Sequence, residues 1–368
     1  RAPSIDIAEV GAGGGSICWI DPGGVPRVGP QSAGADPGPA CYGRGGERPT
    51  LTDAQVLLGY LSTQSLAGGV QSITRELAEV AFQPFAEALG LAVHDAAYGV
   101  CMIGVDNMSR AVKSVSSQRG RDPRDFVLVA FGGAGPAYGV EIARLLGTRR
   151  VLVPLHPGLF CSIGLLAADL QYNDVRTYVG GAELDARSVG AIFCEMDEAM
   201  AVTLGRQGHA PSTAQLARFA DVHYAGQSSE LSIAIPTGAL TDAHLLRLRK
   251  DFDAEHERTY GHHGEGQGME IAAVRLRATV PTVADAQSSL FQAPRVGTSP
   301  GGSAPDRPAY FGARHGFLAT PVVNRGELGA RPAPGPLIVQ EMDATTVVPP
   351  GARAALDEFG SIVIEVGQ

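Results

Sequence analysis

Two glycine clusters constrain this chain more than any other feature: Gly11-Ala12-Gly13-Gly14-Gly15-Ser16 and Phe131-Gly132-Gly133-Ala134-Gly135-Pro136. Glycine accepts positive φ at no steric cost and lets a backbone lie against a ligand. A run of amides unshielded by side chains can turn its N–H groups toward phosphate oxygens. Far apart in sequence, the clusters read as two walls of one nucleotide site. The plainer alternatives are a tight hairpin that binds nothing and a close strand–helix packing that needs small residues.

The surroundings of each cluster narrow the choice. Ser4 to Val10 predicts a strand entering the first cluster, and Ser16 to Ile20 a strand leaving it, with a turn at Asp21-Pro22-Gly23-Gly24. Gly11-x-Gly13-x-x-Ser16 approaches the dinucleotide fingerprint, but its third position is Ser and a strand follows where a helix should open. No G-x-x-x-x-G-K-[ST] is present. The second cluster follows the apolar run Phe126 to Ala130 and precedes a helix predicted over Ala137 to Leu146 and a strand over Val151 to Val153. That is a strand–turn–helix–strand unit of an α/β layer, with the cluster at the ligand-facing edge.

Elsewhere, Thr52-Asp53 predicts a cap for a helix through Leu61, and Thr74 a cap for one ending at Leu89-Gly90, kinked at Pro84. A buried stripe of Tyr98, Cys101, Val105, Met108, Val112 and Val115 marks a helix over about 95–115. Helical patterns near Val189 to Gly205 and Asp242 to Tyr260 alternate with period-2 segments such as Val274-x-Leu276-x-Ala278-x-Val280. Gly297 to Pro308 reads as a surface loop, and Pro336 to Val366 as short strands with turns between them. A domain boundary is expected near 175–185.

The net charge of −9 with no Lys/Arg cluster argues against nucleic acid as partner. Five dispersed cysteines without a C-x-x-C pair suit a reducing compartment, so the cytoplasm is expected. No apolar stretch approaches the ~20 residues of a membrane span. Asp6, just before the first cluster, and Asp36, in the proline-rich loop, are candidate catalytic carboxylates, Asp6 also as a water-mediated Mg²⁺ ligand. Asp53 reads as a helix cap. His256, His262 and His263, with Glu255 and Glu257, lack the H-E-x-x-H spacing and read as a solvated helix end.

Several strings resemble the hydantoinase A / 5-oxoprolinase family. They are Val10 to Ser16, Gly29-Pro-Gln-Ser-Ala-Gly-Ala-Asp-Pro-Gly-Pro-Ala-Cys-Tyr-Gly43, Arg119-Gly-Arg-Asp-Pro-Arg-Asp-Phe126, Phe131 to Pro136, Tyr224-Ala-Gly-Gln227, Glu230-Leu231 and Thr345 to Gly351. That family includes N-methylhydantoinase subunits, caprolactamase-type lactamases and acetone and acetophenone carboxylase subunits. The resemblance implies an actin/Hsp70-like (ribonuclease H-like) α/β ATPase lobe lacking its N-terminal part, over 1–178, and an α+β C-terminal domain over 179–368. It implies ATP and Mg²⁺ as cofactors. Gly11, Gly13, Gly14, Gly15 and Ser16 would form the second phosphate hairpin, and Gly132, Gly133, Ala134 and Gly135 the adenosine loop. The helix over 95–115 would connect them.

The implied activity is ATP-dependent phosphorylation of a cyclic amide or ketone carbonyl, completed by hydrolysis or carboxylation on a hydantoinase B-type partner. The family's first phosphate hairpin is not in this sequence, which begins at Arg1. An N-terminal hydantoinase A-type chain or segment is therefore a further expected partner, whether the chain is a processed product, a fragment or one chain of a divided protein. The alternative is a nucleotide-free assembly subunit. His223 stands where the family pattern has Arg.

Overall fold

The computed structural model describes residues 7–63, 71–178, 185–281 and 304–367, and they form two compact units. The first holds 7–63, 71–117, 122–165 and 304–367; the second holds 118–121, 166–178 and 185–281.

The first unit opens with an antiparallel ribbon, β1 (Ser16–Ile20) and β2 (Pro26–Ser32). Asp21 shapes the turn between them by accepting the amides of Gly23 and Val25 at 2.9 and 3.0 Å. Residues 7–10 are not in a strand, contrary to the expectation for the arm entering the first cluster. They pair with no strand among the described residues, and unpaired amides favour irregular, solvated backbone. Helix α1 (Leu51–Leu57) is capped by Thr50, two residues before the expected pair, with Asp53 completing a capping box. It stops short of Leu61 because Gly59 turns with φ +76°.

α2 (Arg75–Leu89) begins after Thr74, carries Pro84 inside it and ends at left-handed Gly90. α3 (Val93–Val115) buries Ala97, Val100, Cys101, Gly104 and Val105 most deeply, so its stripe is rotated from the predicted one. The small residues decide this. A Cβ on Gly104 would lie 3.2 Å from Leu51 Cδ1, so α1 approaches where bulk is least and Tyr98, Met108 and Val112 fall at the margin. Next come β3 (Leu128–Val129), α4 (Gly135–Leu146), β4 (Arg150–Val153) and the short α5 (Phe160–Ala167). β3 and β4 are parallel, with Leu128 opposite Val151.

The second unit is an antiparallel sheet with two helices. Its strands are β5 (Leu170–Thr177), β6 (Gln215–Tyr224), β7 (Leu231–Ile235) and β8 (Met269–Val280), in the order β5-β8-β6-β7. Helices α6 (Ala186–Arg206) and α7 (Asp242–Tyr260) bury Phe193, Met196, Leu204 and Phe252 against Val274, Leu276 and Ala278. The period-2 pattern of β8 thus marks one buried face. His256 is buried, not solvated as expected. Its ring lies 4.8 Å from Tyr224 and 4.6 Å from Tyr260, and its Nδ1 is 2.7 Å from the His262 carbonyl. No metal-binding cluster occurs among the described residues.

The tail returns to the first unit. β9 (Ala304–Tyr310), β10 (Phe317–Val323), β12 (Leu337–Gln340) and β13 (Thr345–Val348) form one sheet. β11 (Ala333–Pro334), β14 (Arg353–Leu356) and β15 (Ile362–Glu365) join β4 and β3 in another, Ile364 pairing antiparallel with Val151. The compact units therefore do not follow a single cut near residue 178, because β15 needs the edge of β4. Residues 304–308, expected as loop, belong to β9; 297–303 lie outside the described residues. No single helix among the described residues is long and apolar enough to cross a membrane.

Candidate functional site

Both glycine clusters belong to the first unit. In the first, the buried Ser16 hydroxyl accepts the Gly13 amide at 2.9 Å and donates to the Gly11 carbonyl at 3.1 Å. Ser16 is thus a pin inside the loop, and its proton is committed to Gly11. The Gly14 carbonyl accepts the Thr52 amide at 2.8 Å, tying the loop to the start of α1. The Gly15 carbonyl likewise accepts the Ala33 amide at 2.8 Å. A Cβ on Gly14 would meet Thr52 Oγ1 at 2.7 Å, one on Gly15 would meet Ser32 Oγ at 2.9 Å, and one on Gly11 would meet Pro30 Cα at 2.7 Å. Gly11 meets backbone and is required by close packing, whereas Gly14 and Gly15 meet only side-chain hydroxyls that can turn away. Gly13 is different: it is exposed, and a Cβ there would meet nothing within 4 Å. The amides of Gly14 and Gly15 find no acceptor among the described residues.

The second cluster lies at the C-terminal edge of the parallel pair β3 and β4. Gly132, with φ +81°, donates its amide to the Pro157 carbonyl at 2.7 Å, so the loops leaving β3 and β4 are joined. The amides of Gly133 and Ala134 have no acceptor among the described residues and stand at the N-terminus of α4, whose dipole favours negative charge. Asp343, on the turn from β12 to β13, accepts the Gly158 amide at 2.9 Å. A Cβ on Gly158 would lie 2.8 Å from Asp343 Cβ, so only glycine permits that approach. His156, with φ 49°, is the one non-glycine residue at positive φ among those described. Phe131 is exposed and its ring lies 5.3 Å from that of Phe160, giving the edge an apolar lip.

Arg325 holds this edge from behind. Its guanidinium contacts both oxygens of Glu341, at 2.6 and 2.8 Å, and the carbonyls of Val153, Pro154 and Gly360 at 3.2, 2.9 and 2.9 Å. The end of β4 and the turn bearing Asp343 are thereby fixed to one side chain. His156, Asp343 and Arg325 were not singled out in the sequence. Only His156-Pro157-Gly158, shortly after the end of β4, carried a local signal; the other two act through partners remote in the chain.

α3 packs against both α1 and α4, so it lies between the elements that carry the two clusters. No hydrogen bond joins one cluster to the other among the described residues. Asp36 is exposed on the turn that follows Ala33, and so close in sequence to the residue bonded to Gly15. Asp6 lies outside the described residues. Asp53 is buried and accepts four bonds, from Ala40, Cys41 and Thr50, so its role is structural. In the second unit the His223 Nδ1 lies 3.0 Å from the Tyr224 carbonyl and 3.9 Å from Glu270.

Known proteins are similar to this chain in sequence and fold. The hydantoinase/oxoprolinase family model matches residues 1–174, and the hydantoinase/oxoprolinase C-terminal domain model matches 182–364. An uncharacterised protein of Methanocaldococcus jannaschii is 36% identical over 99% of this chain and 52% of its own length. Caprolactamase subunit alpha of Pseudomonas jessenii is 32% identical over 99% of this chain and 53% of its own. The acetophenone carboxylase gamma subunit of Aromatoleum aromaticum is 32% identical over 97% and 50%. The crystal structure of the ATP-dependent caprolactamase from Pseudomonas jessenii superposes with a TM-score of 0.81 at 30% identity, covering 97% of this chain and 52% of that one. This chain spans about half the length of these curated relatives. With an α/β first unit, an antiparallel second unit and both family models matched in order, the chain belongs to the hydantoinase/oxoprolinase family.

Proposed function

We propose that this chain supplies part of the ATP site of an enzyme that activates a cyclic amide or ketone carbonyl by phosphorylation. The single observation that carries the reading is the bare loop Gly132 to Gly135. It stands at the C-terminal edge of β3 and β4, with two unpaired amides at the start of α4. In this reading an adenosine group would lie there, its base against the Phe131 lip and its polar atoms against amides. In this reading the first unit is an actin-like ATPase lobe, and the family-level division into 1–178 and 179–368 stands beside the two compact units.

Gly13, Gly14 and Gly15 would face the phosphates, with Ser16 acting indirectly by holding the loop in shape. Asp36, exposed and close to that loop, suits an outer carboxylate for Mg²⁺-bound water, with Asp6 as a second candidate. Bound Mg²⁺ would neutralise phosphate charge. The carbonyl oxygen would attack the γ-phosphorus, the bond from that phosphorus to the β–γ bridging oxygen would break, and ADP would leave. Amide oxygen is a poor leaving group and phosphate a good one, so the activated carbonyl can then be hydrolysed or carboxylated on a hydantoinase B-type partner. The chain's own contribution is positioning and electrostatic complementarity from fixed amides. An N-terminal hydantoinase A-type chain or segment would complete the phosphate site.

A second reading, a nucleotide-free assembly subunit, draws on the packing role of Gly11, which requires glycine without any ligand. Calorimetric titration with a non-hydrolysable ATP analogue separates the two, done with and without an N-terminal hydantoinase A-type chain. Saturable heat that Gly133→Val weakens at least tenfold, at unchanged melting temperature, supports the ATP site. No heat in either mixture assigns the chain to assembly.

A further inference from the structure

We propose that the first unit carries a second small-molecule site, for an organic monocarboxylate with a flat apolar body, in the cavity between α3, α4 and the turn joining β9 to β10. The cavity measures about 280 Å³, near the lower end for small-ligand sites. Its position separates it from the glycine loops: Glu141 and Arg144 line it from α4, about 9–14 Å along that helix from Gly135. It is independent of the nucleotide reading.

The walls divide by chemistry. Tyr60, Tyr98 and Phe311 supply aromatic surface. Tyr60 donates its hydroxyl to the Tyr310 carbonyl at 2.7 Å, whereas the Tyr98 hydroxyl has no partner among the described residues. Gly312, with φ +79°, sits on the Tyr98 ring; a Cβ there would lie 2.9 Å from the ring carbons, so the turn closes down only with glycine. Arg144 is held by Glu141 at 2.7 Å and by the Pro350 carbonyl at 2.8 Å, which balances its charge locally. Arg314 and His315 stand exposed on the turn, and Arg314 has no hydrogen-bond or ion-pair partner among the described residues.

A carboxylate is the group that answers an unpaired guanidinium beside an imidazole, because it accepts bidentate hydrogen bonds. The aromatic walls then take the apolar remainder. Glu141 and Arg144 cancel each other in the lining, so the Arg314 guanidinium is left to match one negative charge, which favours a monoanion over a dianion.

Benzoate is the probe. Titration into the full chain, followed by calorimetry or by ligand-observed NMR, is expected to show saturable millimolar binding. Arg314→Ala should weaken it roughly tenfold, and Ala313→Trp, which fills the mouth, should abolish it. Both positions are exposed, so melting temperatures should match the parent. Benzamidine, the same ring with a cationic head, should not bind. Absence of saturable benzoate binding, equal binding of benzamidine, or indifference to both variants overturns the proposal. So does displacement of benzoate by an ATP analogue with both variants silent, which would place the probe on the glycine loops.

Discussion

Asp53 and Cys41 meet directly: the Cys41 amide donates to Asp53 Oδ1 at 2.7 Å. The other oxygen of the same buried carboxylate accepts the amides of Ala40 and Thr50 at 3.2 and 2.9 Å and the Thr50 hydroxyl at 2.7 Å. One side chain thus caps α1 and clamps to it the proline-rich loop that also reaches the first glycine cluster. Burial of a carboxylate is tolerable here because each oxygen is met by donors.

Asp53→Asn should therefore be severe although nearly isosteric. It turns an amide donor toward donors that need an acceptor, and a loss of about 3 kcal/mol is expected. Thr50→Ala, which removes the acceptor of the Asp53 amide and one of the four donors to its carboxylate, should cost less, about 1–2 kcal/mol. Urea unfolding measures both. Asp53→Asn indistinguishable from the parent would mean that the clamp does not hold the loop.

Ser16 makes a different prediction. Its hydroxyl bridges Gly13 and Gly11, so Ser16→Ala leaves the Gly13 amide without its acceptor. Hydrogen exchange at Gly13 should speed up by roughly tenfold or more, the equivalent of losing one hydrogen bond of about 1.4 kcal/mol. A hydroxyl that served only a bound phosphate would leave exchange in the ligand-free chain unchanged.

What the sequence showed in advance was local. Helices α2, α4, α6 and α7 carry their boundaries in Thr74, Gly90, Gly147 and the 3.6-residue periodicity, and β8 carries its buried face in its alternation. What it hid was everything settled between distant segments. Ile364 pairs with Val151, and Asp343 docks on Gly158, through geometry that no short window encodes. The rotated stripe of α3 is intermediate: hydrophobic size pointed to Tyr98 and Met108, but close helix approach selected Ala97 and Gly104. The glycine clusters were visible from the start, yet in the first of them Gly11 answers to backbone packing and Gly13 to open space.

Arg325 and Glu341 should behave as a half-hidden ion pair. Both are largely buried, at 12% and 13% side-chain exposure, and Arg325 also satisfies three carbonyls. Removing the arginine strands a carboxylate and three acceptors, so Arg325→Ala is expected to cost about 3–5 kcal/mol. Arg325→Met with Glu341→Leu should recover part of that loss, since no charge is then left unpaired. Chemical denaturation of the two variants checks it; equal losses would mean that the carbonyl contacts, not the ion pair, carry the effect.

The cysteines give the prediction that depends on proton affinity. Burial pushes the Cys18 and Cys41 thiols well above their ordinary range and Cys101 up to about 12, with the Asp53 carboxylate adding to the shift at Cys41. A raised thiol pKa means the proton is retained at pH 8, and the thiolate is the species that alkylates. Cys161 and Cys194 are exposed. Iodoacetamide at pH 8 should therefore label only Cys161 and Cys194 in the native chain and all five cysteines in denaturant, read by peptide mass spectrometry. Cys41 is the informative site, because it lies against the Asp53 clamp. If Asp53→Asn opens that loop, Cys41 should become labelled natively while Cys101, packed beside Tyr138 in the core, stays protected. Equal protection of Cys41 in parent and variant would show that the loop is held by something other than the carboxylate.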